Sequence, residues 1–177
     1  IGSFSGNHTV STITENMVDD FGTHADFFYL WDLTEAEALA AQWFGGHIAT
    51  ADWRDAWLER SLAHMFSGLF NEFRNGRNEF VLYQHGFDHG VYLNDWTAGK
   101  RRPLATRKYD DPSTMIGDNY ASIRGALVLQ SLRREIGEEN WWKTVRLFLK
   151  NHGGKTVTTE DFRAAVNGAT GKSYDWF

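Results

Sequence analysis

From Trp53 onward the apolar residues recur three and four apart. Trp53, Trp57, Leu58, Leu62, Met65, Phe66 and Leu69 form one stripe, predicting a helix from Thr50 or Asp52 to about Phe73. Asn75-Gly76 reads as a turn behind it. A second strong stripe runs from Asn119 to Ile136 and stops at Gly137. A third runs from Glu139 to Asn151 and closes on His152-Gly153-Gly154. Thr158 or Thr159 is placed to cap a last helix ending near Thr170. Upstream, Thr34 with Glu37 three positions on has the form of a capping box, predicting a helix to Phe44 that Gly45-Gly46 ends. Residues 9–14 alternate and are β-branched, as an edge strand would be. Glu79 to Gly86 fits another helix, and residues 86–118, rich in Gly, Asp and Pro, read as a long loop. The expected class is α+β, mainly helical. One domain over 1–177 is expected, with a strand region at 1–33 and a helical region at 34–177.

Composition narrows the functional classes. At 177 residues, with eight Trp and thirteen Phe, the chain can bury a core built on large aromatic anchors. The net charge of −5 is dispersed and gives no electrostatic footprint for nucleic acid. Lys100-Arg101-Arg102 is a short basic cluster; it reads as a solvated loop, with a phosphate or partner contact as the alternative. Cysteine is absent, which excludes disulfides and thiolate zinc sites and leaves the compartment open. No apolar run approaches the roughly 20 residues that span a bilayer.

The segment Glu37-Ala38-Leu39-Ala40-Ala41-Gln42-Trp43-Phe44-Gly45 resembles the active-site helix H-E-L-A-H-Q-W-F-G of zinc aminopeptidases of the aminopeptidase N type. The resemblance continues at Trp53-Arg54-Asp55-Ala56-Trp57-Leu58-Glu59-Arg60-Ser61-Leu62-Ala63, similar to W-N-D-x-W-L-N-E-G-F-A. Ser122-Ile123-Arg124-Gly125-Ala126 is similar to Y-x-K-G-A, and Ser5-Gly6-Asn7-His8-Thr9, more weakly, to M-E-N-W-G. These matches run from about residue 5 to the C-terminus. They imply a thermolysin-like (gluzincin) metallopeptidase catalytic domain with a small N-terminal sheet. In the family the final stretch leads into further residues, so the chain is expected to be a piece of a longer protein.

The same resemblance implies that the chemistry has been lost. In the H-E-x-x-H pattern two imidazoles one helical turn apart bind zinc, and the Glu acts as general base. Here the ligand positions read Glu37 and Ala41, and the base position reads Ala38. The third ligand, a Glu nineteen positions after the second His, corresponds to Arg60. The Tyr that stabilises the oxyanion corresponds to Ser122, and the Glu that holds the substrate amine corresponds to Gly6. A cation at a ligand position repels a metal dication. No zinc or other cofactor is therefore expected.

Several side chains remain candidates. Glu37, Arg60, His64 and Glu59 are candidate cleft residues, with His64 one turn after Arg60. Glu37 and Arg60 have opposite charges at converging positions, so a direct or water-bridged pair is expected beside the alternative that both turn to water. His85 and His89, with Asp88 between them, form a candidate metal site whose ordinary reading is loop histidines. Trp43 and Trp57 read as core anchors. The expected function is a catalytically inactive aminopeptidase-like domain with a structural, scaffold or protein-interaction role, its partners being other domains of the same protein or a protein or peptide. The alternatives are a peptide-binding pseudoenzyme and a hydrolase with relocated metal chemistry.

Overall fold

The computed structural model describes residues 4–7, 10–13, 21–109, 111–116 and 119–177. Two short strands, β1 (Phe4–Asn7) and β2 (Val10–Ile13), pair antiparallel with Gly6 opposite Ser11. The expected strand at 9–14 is thus found over its central four residues, while His8 and Thr9 lie outside the described set.

Helix α1 (Phe21–Ala41) begins thirteen residues before the expected start at Thr34. The expected strand region at 1–33 therefore ends early. No Pro occurs in this stretch and no Gly lies between Gly22 and Gly45, so nothing in the backbone breaks the helix. Thr34 sits inside it. The chain leaves α1 through Gly45, whose φ of 119° is closed to a residue with a Cβ. It then forms β3 (Ala49–Thr50), which pairs parallel with β4 (Thr156–Val157) near the far end of the sequence.

Asp52 caps a 3-10 turn (Trp53–Asp55) by accepting from the Arg54 amide at 2.9 Å, and α2 (Ala56–Asn75) comes next. Helices α1 and α2 run antiparallel: Asp32 meets Arg74 at 2.7 Å, the Ser67 hydroxyl donates to the Leu33 carbonyl at 2.7 Å, and Glu37 meets His64 at 2.9 Å. Rising numbers on one helix match falling numbers on the other. One further turn along each brings Ala41 and Arg60 next in the series.

About half of the described part of the expected loop at 86–118 is helical. After α3 (Arg77–Tyr83) the backbone opens into a π-helical turn (Gln84–Asp88) and continues as α4 (His89–Thr97), with the short α5 (Ser113–Ile116) beyond it. Gly86 and Gly90 do not break the helix: each keeps its own backbone donor and acceptor, and the His89 amide donates to the Gln84 carbonyl across Gly86. Among the described residues of that stretch, 98–109 and 111–112 are irregular. A second π-helical turn (Tyr120–Arg124) leads into α6 (Gly125–Ile136), then α7 (Glu138–His152) and α8 (Thr159–Thr170). Thr158 caps α8 in a full capping box with Asp161.

The core lies where α2 meets α6, α7 and α8. Leu58, Leu62, Leu129, Trp141 and Phe148 are almost fully buried there. Gly125 lets α6 approach closely, since a Cβ at that position would come within 2.5 Å of the Ser61 Cβ. Trp57 is buried, as expected, and donates its indole N–H to the Thr159 hydroxyl at 3.1 Å. Trp43 departs from expectation: it is 55% exposed. It comes just after the last turn of α1, on the side of the exposed Leu39, and its ring lies 5.5 Å from that of His47 in an edge-to-face contact.

Candidate functional site

Three side chains from three elements converge between α1, α2 and the first π-helical turn. Glu37 comes from α1, His64 from α2, and Asp88 from the last residue of the π-helical turn. His64 Nδ1 lies 2.9 Å from Glu37 Oε2, and Nε2 lies 3.1 Å from Asp88 Oδ1. Both carboxylates are acceptors, so both ring nitrogens carry hydrogen and the imidazole is an imidazolium. Burial opposes the charge, but the hydrogen bonds to Asp88 and Glu37 and their negative charges outweigh it, raising the pKa to about 10. Tyr83 packs 6.5 Å from the imidazole, ring to ring. Burial, reinforced by the Asp88 and Glu37 charges, pushes its pKa up, so its hydroxyl stays protonated. A π-helical turn adds a residue to the helical repeat and rotates the side chains at its far end, which is how Asp88 reaches α2.

The expected partner of Glu37 is Arg60. The structure gives Glu37 to His64 instead. His64 lies one turn further along α2 and is 7% exposed, whereas Arg60 is only half-buried. A short imidazole stem already inside the interface meets the carboxylate with less reach than a guanidinium from the next turn. Glu59 faces the chain after α1: its carboxylate accepts the Thr50 amide of β3. Ala38 is buried, Ala41 packs partly against the core, and Ser122 is buried within the second π-helical turn. Gly6 belongs to β1. His89 is half-buried in α4, and the His85 side chain lies outside the described set.

These positions can be tested against the zinc that the family pattern implies. A catalytic zinc needs three protein ligands and an open position. The corresponding positions hold one carboxylate already committed to an imidazolium, one methyl group and one guanidinium. This donor set does not fit zinc. Among the described residues no cluster of three or more His, Cys, Asp or Glu has an arrangement able to hold a metal ion. His64 cannot act as base for a nucleophilic serine either, since both its nitrogens are taken. The nearby hydroxyls of Ser61 and Ser67 donate to the carbonyls of Leu58 and Leu33.

Asp88 is the site residue that sequence reasoning does not find. Along the chain it is only an acid between two histidines, and nothing local signals that it turns toward a histidine 24 positions earlier. A groove of about 330 Å³ opens between α1 and α2, lined by Leu39, Trp43, Phe66 and Phe70, with Glu35 and Arg74 among its polar residues.

Comparison with known proteins gives these positions their context. Aminopeptidase N of Lactococcus lactis is 24% identical over 148 residues, covering 82% of this chain and 17% of the relative. The tricorn protease-interacting factor F2 of Thermoplasma volcanium is 25% identical over 144 residues, covering 79% and 18%. The chain thus spans less than a fifth of the length of these relatives. Among solved structures, the M1 zinc metallopeptidase of Deinococcus radiodurans superposes with a TM-score of 0.64 at 27% identity, covering 78% of this chain and 30% of that one. The mainly helical α+β fold is that of M1 metallopeptidase domains. The model of the peptidase family M1 domain matches residues 33–177, a stretch holding the C-terminal part of α1, all of α2 and the core around them, and on that match the chain belongs to peptidase family M1.

Proposed function

We propose that this M1 domain is non-catalytic and serves as a scaffold or protein-interaction module. The observation that carries this reading is the commitment of Glu37. The side chain at the first ligand position is hydrogen-bonded to a buried imidazolium, which Asp88 holds from the other side. The positive charge facing Glu37 is built into the chain. Meanwhile many of the family-like residues that remain have packing roles: Phe44, Trp57 and Leu58 are buried, Gly45 turns the chain, and Gly125 permits close helix contact. The exposed Leu39 and Trp43 beside the open groove favour a partner-binding role over a purely internal one.

Elemental analysis of protein purified without chelator tests the reading, together with hydrolysis assays on aminoacyl substrates. No stoichiometric zinc and no turnover are expected. One tightly held zinc per chain, lost in Glu37→Ala, would overturn it.

A further inference from the structure

Between Trp96 and Tyr109 the chain carries five Lys or Arg residues and no Asp or Glu, in a protein whose net charge is −5. This run is fastened to the body rather than dangling from it. The Tyr120 hydroxyl donates to the Arg102 carbonyl at 2.6 Å and accepts from the Arg102 amide at 3.1 Å. Leu104 and Ala105 pack against the core, and Arg107 meets Asp52 at 3.2 Å. The last turns of α4 lie beside it. Leu93 is 56% exposed and Trp96 39% exposed, one turn apart on the helix. Asn94 and Thr97, also exposed there, are uncharged, and the one acid of that turn, Asp95, is half-buried against Lys100 at 2.9 Å. The Arg101 guanidinium lies 4.4 Å from the centre of the Trp96 ring.

We propose that α4 and the loop after it form a docking surface for an anionic lipid bilayer. Leu93 and Trp96 enter the headgroup boundary, while the exposed Lys100 and Arg101 face the lipid phosphates and carboxylates; the half-buried Arg102 is turned back over the Tyr120 ring, 5.0 Å from its centre. Exposed Leu and Trp next to clustered Lys and Arg is the chemistry of interfacial binding, in which apolar burial and charge attraction add. Charge complementarity alone would also suit a nucleic acid, but two observations favour lipid. One face of Trp96 is already covered by Arg101, which reduces its use for stacking a base. Leu93 offers an aliphatic surface that a phosphodiester backbone does not reward. The surface is peripheral: among the described residues no helix is long and apolar enough to cross a membrane.

Co-sedimentation of the protein with vesicles tests this. Binding is expected to vesicles of mixed phosphatidylcholine and phosphatidylserine, to weaken with added salt, and to be absent from phosphatidylcholine alone. Removing a cation, as in Arg101→Gln, should weaken binding roughly fivefold. Leu93→Ser should weaken it with all charges kept, and circular dichroism will show that both variants remain folded. A vesicle-induced blue shift in tryptophan emission should diminish in Trp96→Phe. Failure to bind anionic vesicles would overturn the proposal, as would equal binding to neutral ones. Binding to vesicles and to single-stranded DNA alike that is unchanged in Leu93→Ser would overturn it too, by showing a general polyanion surface.

Discussion

His64 donates from both ring nitrogens inside an interface that is nearly closed to water, so its charge and its two carboxylates stabilise one another. Its pKa is raised from an unfolded value of about 6.5 to about 10. By linkage, the stabilisation is fully present below the unfolded pKa and is lost as pH rises through the folded one. Urea unfolding across that window should show stability falling with pH, with a contribution from this residue approaching about 1.4 kcal/mol per pH unit. His64→Gln should lack that contribution. A stability difference between the two proteins that does not change with pH would rule out a buried imidazolium. His64→Ala should cost about 3 kcal/mol at neutral pH, because two buried carboxylates then lose their shared donor.

At the scale of elements, the ends and crossings of helices carry the energy that local sequence can encode. Thr158 and Asp161 bond each other's backbone amides at the start of α8, and Asp55 accepts from the Thr159 amide at 3.1 Å and from its hydroxyl at 2.5 Å. Thr158→Ala should lower stability by about 1 kcal/mol in thermal or urea unfolding. Gly125→Ala should cost about 1–3 kcal/mol, since the added methyl meets Ser61 and Trp57 across the α2–α6 crossing. The π-helical turn at Gln84–Asp88 acts at this scale as well: it re-aims Asp88 at His64 while α3 and α4 continue on either side.

Across the whole molecule, Arg133 ties three helices together. From α6 its guanidinium reaches Glu72 of α2 at 2.7 Å and Glu138 of α7 at 2.7 Å. Arg133→Ala should destabilise the domain by about 3 kcal/mol. The family frame also sets a test of whether the old ligand positions still converge. Glu37→His, Ala38→Glu, Ala41→His and Arg60→Glu together supply the family's two imidazoles, base and third ligand. The built-in imidazolium is then left with Asp88 alone and sits against the new site. Zinc titration should therefore find weak binding in the fourfold variant and tighter binding once His64→Leu is added. Equal affinity with and without His64→Leu would separate His64 from the site.

Periodicity and caps made α2, α7 and α8 legible to within a few residues, because stripe spacing and the Thr158 capping box are local properties of the chain. The motif frame around Leu39, Phe44, Trp57 and Gly125 likewise carried the family and its mainly helical fold. The early start of α1 was harder to read: Thr34 has the form of a cap, yet a residue suited to capping also sits inside a helix when nothing upstream breaks it. The helical course beyond Gly86, over residues 87–97, is hidden by Gly86 and Gly90, whose local preference is overridden by the surrounding structure. Trp43 was misplaced because an apolar side chain states its own affinity but not whether another surface is present to cover it. The partner of Glu37 was beyond local reading for a related reason. The nineteen-residue spacing placed Arg60 in register with Ala41, but His64, one turn further on, and Asp88, turned inward by a π-helical backbone, settled where the carboxylate bonds. Those distances exist only once three separate elements have packed, and the energy of a buried charge depends on every neighbour at once.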